Sequence, residues 1–241
     1  MIFSLNFSDR ARRLAVTLAV AATMTTQTAA IATAQPAPAC PAVEVVFARG
    51  TLEPPGVGAT GQSFIDALNT RLPTPATVRP VNYPASLDFQ TAADGVADAA
   101  HQIESTVAAC PDTNIVLGGY SQGAAVAAYT TFSAVPPGFI LPPNITGPMP
   151  ADVAPHVAAV ALFGTPDSWF LNLVDRNAPS IAVDPLYASK TIQLCDPGDP
   201  VCFPGGLDRA AHSAYKSNGM ADQAAQFVAD RLQAPRGDAA N

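Results

Sequence analysis

The ten residues 114–123, NIVLGGYSQG, decide how the rest of the chain is read. Ile115, Val116 and Leu117 make an apolar run of strand length, and the run AAVAAY over 124–129 is apolar throughout, as a buried helix requires. Ser121 stands at the join, with Gly119 two residues before it and Gly123 two residues after. A sharp turn from strand into helix strains its central residue and leaves no room for side chains at those two flanking positions. Such a turn would hold the Ser121 hydroxyl over the edge of a sheet, at the amino end of a helix whose N–H groups favour a developing negative charge. A glycine-rich turn can carry a serine by chance. The strand before and the helix after are what make a nucleophile the better reading.

On either side of this turn, strands and helices trade places. Val43–Ala48 (VEVVFA), 78–83 (VRPVNY), 115–117, Val157–Phe163 (VAAVALF) and Thr191–Leu194 read as strands. Residues 61–72, 91–109, a segment from Gln122, and 221–232 read as helices, with a short element near Trp169. Strands apolar on both faces, alternating with helices, predict an α/β three-layer sandwich around a mainly parallel sheet of about five strands. Ligands in such a sheet bind beyond the carboxyl ends of the strands. The segments found there are ARGTLEPPG after the first strand, GYSQG after the third, GTPD after the fourth and CDPGDPVC after the fifth.

Of the 241 residues 49% are apolar and 13% charged, which suits one sizeable core and excludes disorder and coiled coil. Residues 10–34 have a basic start, an apolar stretch of about eleven residues and an A-x-A ending at Ala32 and Ala34, the layout of a secretory signal. The stretch is shorter than the roughly 20 residues that a membrane span needs. Residues 1–34 are therefore expected to be cleaved, leaving 35–241 as one exported domain, extracellular or held at the cell wall. Cleavage removes Asp9, Arg10, Arg12 and Arg13, taking the formal charge from -7 to -9. So acidic a surface disfavours nucleic acid and does not by itself attract anionic lipid. No stable membrane span is expected.

A serine hydroxyl needs a base, usually a histidine oriented by a carboxylate. Three histidines are available. His101 lies in a helix, His156 at the wrong end of the fourth strand, and His212 in a loop-like stretch after the last strand, free to reach back. The acid should fall between serine and histidine, where Asp167, Asp196, Asp199 and Asp208 stand. Asp199 lies inside the short loop that a Cys195–Cys202 disulfide would close. Asp196 suits a turn, Asp208 a helix cap, and Asp167, after a strand end, stays a competitor. Four cysteines in an exported chain suggest two disulfides with three possible pairings, and their spacing does not fit a zinc site. If the second pair is Cys40 and Cys110, it joins points just ahead of strands one and three.

FARGT (47–51), GYSQG (119–123), the run DPVC (199–202) and His212, in this order and spacing, resemble the cutinases, most closely the exported cutinase-like esterases of mycobacteria. The likeness runs from about Cys40 to Leu232. It implies an α/β-hydrolase fold, Ser121 as nucleophile with Asp199 and His212 as triad partners, and disulfides Cys40–Cys110 and Cys195–Cys202. It further implies an oxyanion hole of Gln122 N–H with the N–H and hydroxyl of Thr51, where fungal members carry serine. The expected activity is hydrolysis of short to medium carboxylic esters, with lipids or polyesters such as cutin as extensions, by a monomer without metal or organic cofactor. Phospholipase A or lipase, acyltransferase, acetylxylan esterase and a non-catalytic wall antigen are the rival readings. One departure is the loop 136–150, PPGFILPPNITGPMP. Its six prolines bar helix and central strand, and Phe139, Ile140 and Leu141 are costly to expose, so it forms either a rim at the substrate mouth or a loop packed on the domain.

Overall fold

The computed structural model describes residues 39–137, 141, 143 and 147–234. Among these residues five strands, β1 (Val43–Ala48), β2 (Thr77–Pro80), β3 (Asn114–Tyr120), β4 (Val157–Phe163) and β5 (Thr191–Leu194), form one sheet in the order β2-β1-β3-β4-β5. All four pairings are parallel. Because a parallel sheet is covered on both faces, each strand sends alternate residues to opposite sides. Val46, Ile115, Leu117, Val160 and Leu162 pack on one face with Ala99, Ile103 and Val126. Val45, Phe47, Val116, Ala161 and Phe163 pack on the other with Phe64, Leu68, Ala224 and Val228. These layers come from α2 (Ala92–Ala109) and α3 (Gln122–Thr130) on the first face, and α1 (Gly58–Asn69) and α7 (Met220–Gln233) on the second. Three short helices, α4 (Ser168–Val174), α5 (Pro185–Ala188) and α6 (Arg209–His212), lie in the connections.

The strand order reverses direction between β1 and β3, and a crevice opens beyond the carboxyl ends of strands at such a switch point. Thr51 follows β1 there and Ser121 follows β3.

Some boundaries differ from the sequence reading for identifiable reasons. Strand β3 runs on through Gly118 and Gly119 to Tyr120, because both glycines pair with β4; a Cβ at Gly118 would come 2.7 Å from the Phe47 ring. Helix α1 starts at Gly58 rather than 61, where the Glu53 carboxylate accepts from Ala59 N–H at 2.8 Å and supplies a cap from outside the helix. His212 sits on the one-turn helix α6, not in a loop, and Asp208 caps that helix by accepting from Ala210 N–H at 2.8 Å. Of the loop 136–150, residues 138–140, 142 and 144–146, with Phe139 and Ile140 of the expected rim, lie outside the described residues. Among the described residues no helix is long and apolar enough to cross a membrane.

Candidate active site

Ser121 has φ 55° and ψ -118°, a left-handed strain that non-glycine residues rarely accept. The turn is locked from both sides. Ser121 N–H donates to Phe163 O at 2.9 Å, and α3 closes so tightly on β1 that a Cβ at Gly123 would lie 2.0 Å from Ala48 O. A Cβ at Gly119 would meet Gly123 O at the same distance. Both glycines are thus demanded by close backbone approach, not by flexibility.

His212 and Asp199 arrive at this turn from later segments. His212 Nε2 lies 2.9 Å from Ser121 Oγ, and its Nδ1 lies 2.9 Å from Asp199 Oδ2. Tyr120 holds the histidine segment in place: its hydroxyl donates to His212 O at 2.6 Å and its ring centroid lies 5.1 Å from the imidazole. Asp199 is fully buried. Burial would raise its pKa, yet donors from His212, Tyr215 O–H and Val201 N–H hold it below the ordinary 3.8. The Tyr215 hydroxyl donates to Oδ2 at 2.5 Å, and Val201 N–H to Oδ1 at 2.8 Å. Burial, with the carboxylate beside it, pushes the Tyr215 phenol up, so the proton of that bond stays on the tyrosine. The Cys195–Cys202 disulfide closes the loop that carries Asp199, and Cys40–Cys110 ties the chain ahead of β1 to the end of α2.

The other acids and histidines have separate duties. Asp167 caps α4 by accepting from Phe170 N–H at 2.7 Å, and the Asp196 side chain accepts from Asn218 Nδ2. His156 pairs through Nδ1 with Pro111 O at 3.0 Å, and His101 is exposed on α2.

Thr51 Oγ1 donates to Gln122 Oε1 at 3.3 Å, and Gln122 Nε2 donates to Ser86 O at 3.2 Å. Thr51, Ser121 and Gln122 line one cleft, and Gln122 opens α3, where the first backbone N–H of a helix has no partner within it. The loop bearing Thr51 is braced by Arg49, which is buried: Nε donates to Glu53 O at 2.8 Å and Nη2 to Tyr83 O at 2.7 Å. Glu53 Oε2 in turn accepts from Gly50 N–H at 2.7 Å. Leu52 and Ala85 are the other non-glycine residues with positive φ among the described residues, and Leu52 N–H donates to Ala85 O at 2.6 Å. Local strain is therefore gathered around Thr51 and Ser121.

A cleft of about 290 Å³ opens over Ser121. Leu87, Phe89, Ala125, Tyr129, Phe170 and Val174 line it with apolar surface, which suits a hydrocarbon chain more than a sugar. Among the described residues no group of His, Cys, Asp or Glu side chains could hold a metal ion. A hydroxyl–imidazole–carboxylate chain, beside N–H donors and an apolar cleft, can carry out acyl transfer from an ester. Sequence reading missed Tyr215, Glu53 and the bracing role of Arg49. Arg49 lies within the run FARGT (47–51), whereas nothing local marks Tyr215.

A family model described as Cutinase matches residues 39–232. The carboxylesterase Culp1 of Mycobacterium tuberculosis is 46% identical over 195 residues, 80% of this chain and 82% of that protein. The phospholipase Culp4 of the same organism is 45% identical over 224 residues, 92% of this chain and 93% of that protein. Among solved structures, a Trichoderma reesei cutinase in complex with a phosphonate inhibitor superposes with a TM-score of 0.58 at 32% identity, covering 81% of this chain and 78% of that one.

Proposed function

Because the chain belongs to the cutinase family and is a carboxylic ester hydrolase, we propose that Ser121, His212 and Asp199 form its catalytic triad and that Thr51 and Gln122 supply its oxyanion hole. What supports this reading above all is the placement of His212 Nε2 and Nδ1, each 2.9 Å from its partner. His212 takes the proton of Ser121 as Oγ attacks the ester carbonyl. The resulting oxyanion accepts hydrogen bonds from Gln122 N–H and from the N–H and hydroxyl of Thr51. His212 then gives its proton to the departing alcohol, leaving an acyl-serine. Water, deprotonated by His212, attacks that ester, and the released acid regenerates Ser121. Throughout, Asp199 keeps Nδ1 protonated and steadies the imidazolium without taking its proton.

Residues 1–34 are an export signal in this reading, and the mature domain acts as a monomer in an oxidising, extracellular or wall-bound setting that keeps both disulfides closed. The substrates are short to medium acyl esters. A phospholipase or lipase activity on envelope lipids is the second reading, favoured by the likeness to Culp4 and by Leu87, Trp169 and Leu173, all about two-thirds exposed. Leu87 lines the cleft, and Trp169 and Leu173 stand on α4, whose Phe170 and Val174 line it.

The test is hydrolysis of p-nitrophenyl esters from acetyl to palmitoyl by the mature protein, with Ser121→Ala in parallel. The triad reading expects activity in the first and a loss of at least about 10⁴-fold in the second. A folded wild-type protein silent across the whole series defeats it. Release of fatty acid from phosphatidylcholine vesicles separates the second reading from the first.

A further inference from the structure

We propose that Tyr129 sets the acyl-chain length this enzyme accepts, by closing the far end of the active-site cleft against a second apolar pocket. The inference rests on the esterase reading above and adds a residue to it. Residues 121, 125 and 129 fall at intervals of four, on one face of the turn and α3. Ser121, Ala125 and Tyr129 accordingly all line the cleft, which runs along the helix away from the nucleophile. Beyond Tyr129 lies the second pocket, about 40 Å³ in volume, and Tyr129 lines it too. Helix α2 makes the same passage: Ala92 borders the cleft, while Ala93, Val96, Ala97 and Ala100, again on one helical face, border the second pocket. Phe132, Val135, Leu141 and Met149 are among the residues that line its other side.

Tyr129 is held in this position at both ends of its ring. Its hydroxyl donates to Pro179 O at 2.5 Å, and its ring meets Phe132 edge-on at a centroid distance of 5.3 Å. Burial pushes its phenol up, so the hydroxyl stays a donor at any working pH.

Eight residues of helical rise separate Ser121 from Tyr129, about 12 Å. At about 1.25 Å per carbon of an extended chain, that length takes about eight to ten acyl carbons. Longer chains have to leave the cleft and stay in water. Removing the ring joins the two spaces and gives the chain end a largely apolar lining. Each further methylene buried is a factor of about four in binding, so four of them set a ceiling of about 200-fold.

The experiment compares kcat/KM for butyryl and myristoyl p-nitrophenyl esters, kept below their aggregation thresholds, in wild type, Tyr129→Ala, Tyr129→Phe and the double variant Tyr129→Ala with Ala97→Phe. The myristoyl-to-butyryl ratio is expected to rise at least tenfold in Tyr129→Ala. It should stay within about threefold of wild type in Tyr129→Phe, which keeps the ring, and fall back in the double variant, where the ring introduced on α2 fills the second pocket. Should Tyr129→Ala fail to fold, Tyr129→Leu carries the same comparison with a smaller opening. A ratio unchanged in a folded, active small-residue variant overturns the inference and leaves the esterase reading standing. A ratio that rises equally in Tyr129→Phe, or survives in the double variant, overturns it as well. Wild-type protein inactive on every ester defeats the esterase reading, and this inference falls with it.

Discussion

Replacing Tyr215 by Phe removes one oxygen from the centre of the site and leaves the ring packing in place. In the native protein that hydroxyl donates to Asp199 Oδ2 at 2.5 Å and accepts from Asp196 N–H at 3.0 Å. Tyr215 and Asp199 are both fully buried, so water cannot replace the lost donor. A hydrogen bond to a buried charged group is worth about 2 kcal/mol, and in a domain of this size each kcal/mol moves Tm by about 2–4 °C. The expected loss is therefore about 4–8 °C at pH 7. The effect depends on pH with a definite sign. Asp199 has a folded pKa below its ordinary 3.8, so its ionised form contributes stability that is present above 3.8 and is lost as pH falls through the folded value. Without Tyr215 that folded value moves up, and the variant loses the contribution at a higher pH than wild type. The Tm gap should be widest near neutrality and narrow as pH falls, first through the variant's folded value and then through the lower wild-type one, as the carboxyl protonates in each protein. Thermal melts followed by circular dichroism from pH 3 to 7 measure both quantities. Catalysis should suffer less, by no more than about tenfold, because Val201 N–H and His212 still hold the carboxylate and a decade costs only about 1.4 kcal/mol. Equal melting temperatures at pH 7, or a gap that persists undiminished in acid, would show that the Tyr215 hydroxyl does not stabilise the ionised carboxylate.

Two further changes separate stability from chemistry. Thr51→Val keeps the shape of the side chain and deletes its hydroxyl; kcat is expected to fall about a hundredfold with KM little changed, read from steady-state kinetics on a short ester. Of the disulfides, Cys40–Cys110 spans 70 residues and Cys195–Cys202 only 7. On the chain-entropy account their removal costs about 4 and about 2.5 kcal/mol. Paired Cys→Ser variants should show the opposite order in activity, since only the shorter loop carries Asp199; urea titration and ester hydrolysis on the same samples check this.

Much of the architecture was legible in the chain's own letters, because the signals that carry it are local. The strand-length runs VEVVFA at Val43–Ala48, VAAVALF at Val157–Phe163 and TIQL at Thr191–Leu194, rich in apolar and β-branched residues, mark the strands to the residue, and their alternation with helical periods already implies a parallel sheet. Gly119 and Gly123 flank Ser121 because of a steric demand made within five residues, and such a demand is visible in a string of letters. Other boundaries were not legible for the complementary reason. Helix α1 starts where Glu53 reaches its first turn, and β3 lengthens because β4 lies beside its glycines.

Which distant groups meet is a matter for the folded chain alone. Asp167, Asp196, Asp199 and Asp208 were all admissible by chain order, and the fold sets Asp199 against His212 while the others cap helices or hold turns. Tyr215 reaches that carboxylate across 16 residues, and His212 reaches Ser121 across 91. The strand order that brings Thr51 and Ser121 to one crevice, and the wall that Tyr129 makes between two pockets, likewise depend on packing between elements far apart in the chain. Periodicity reports which face of an element is buried. It carries no information about which other element will cover that face, and that choice is made by the packing of the whole core.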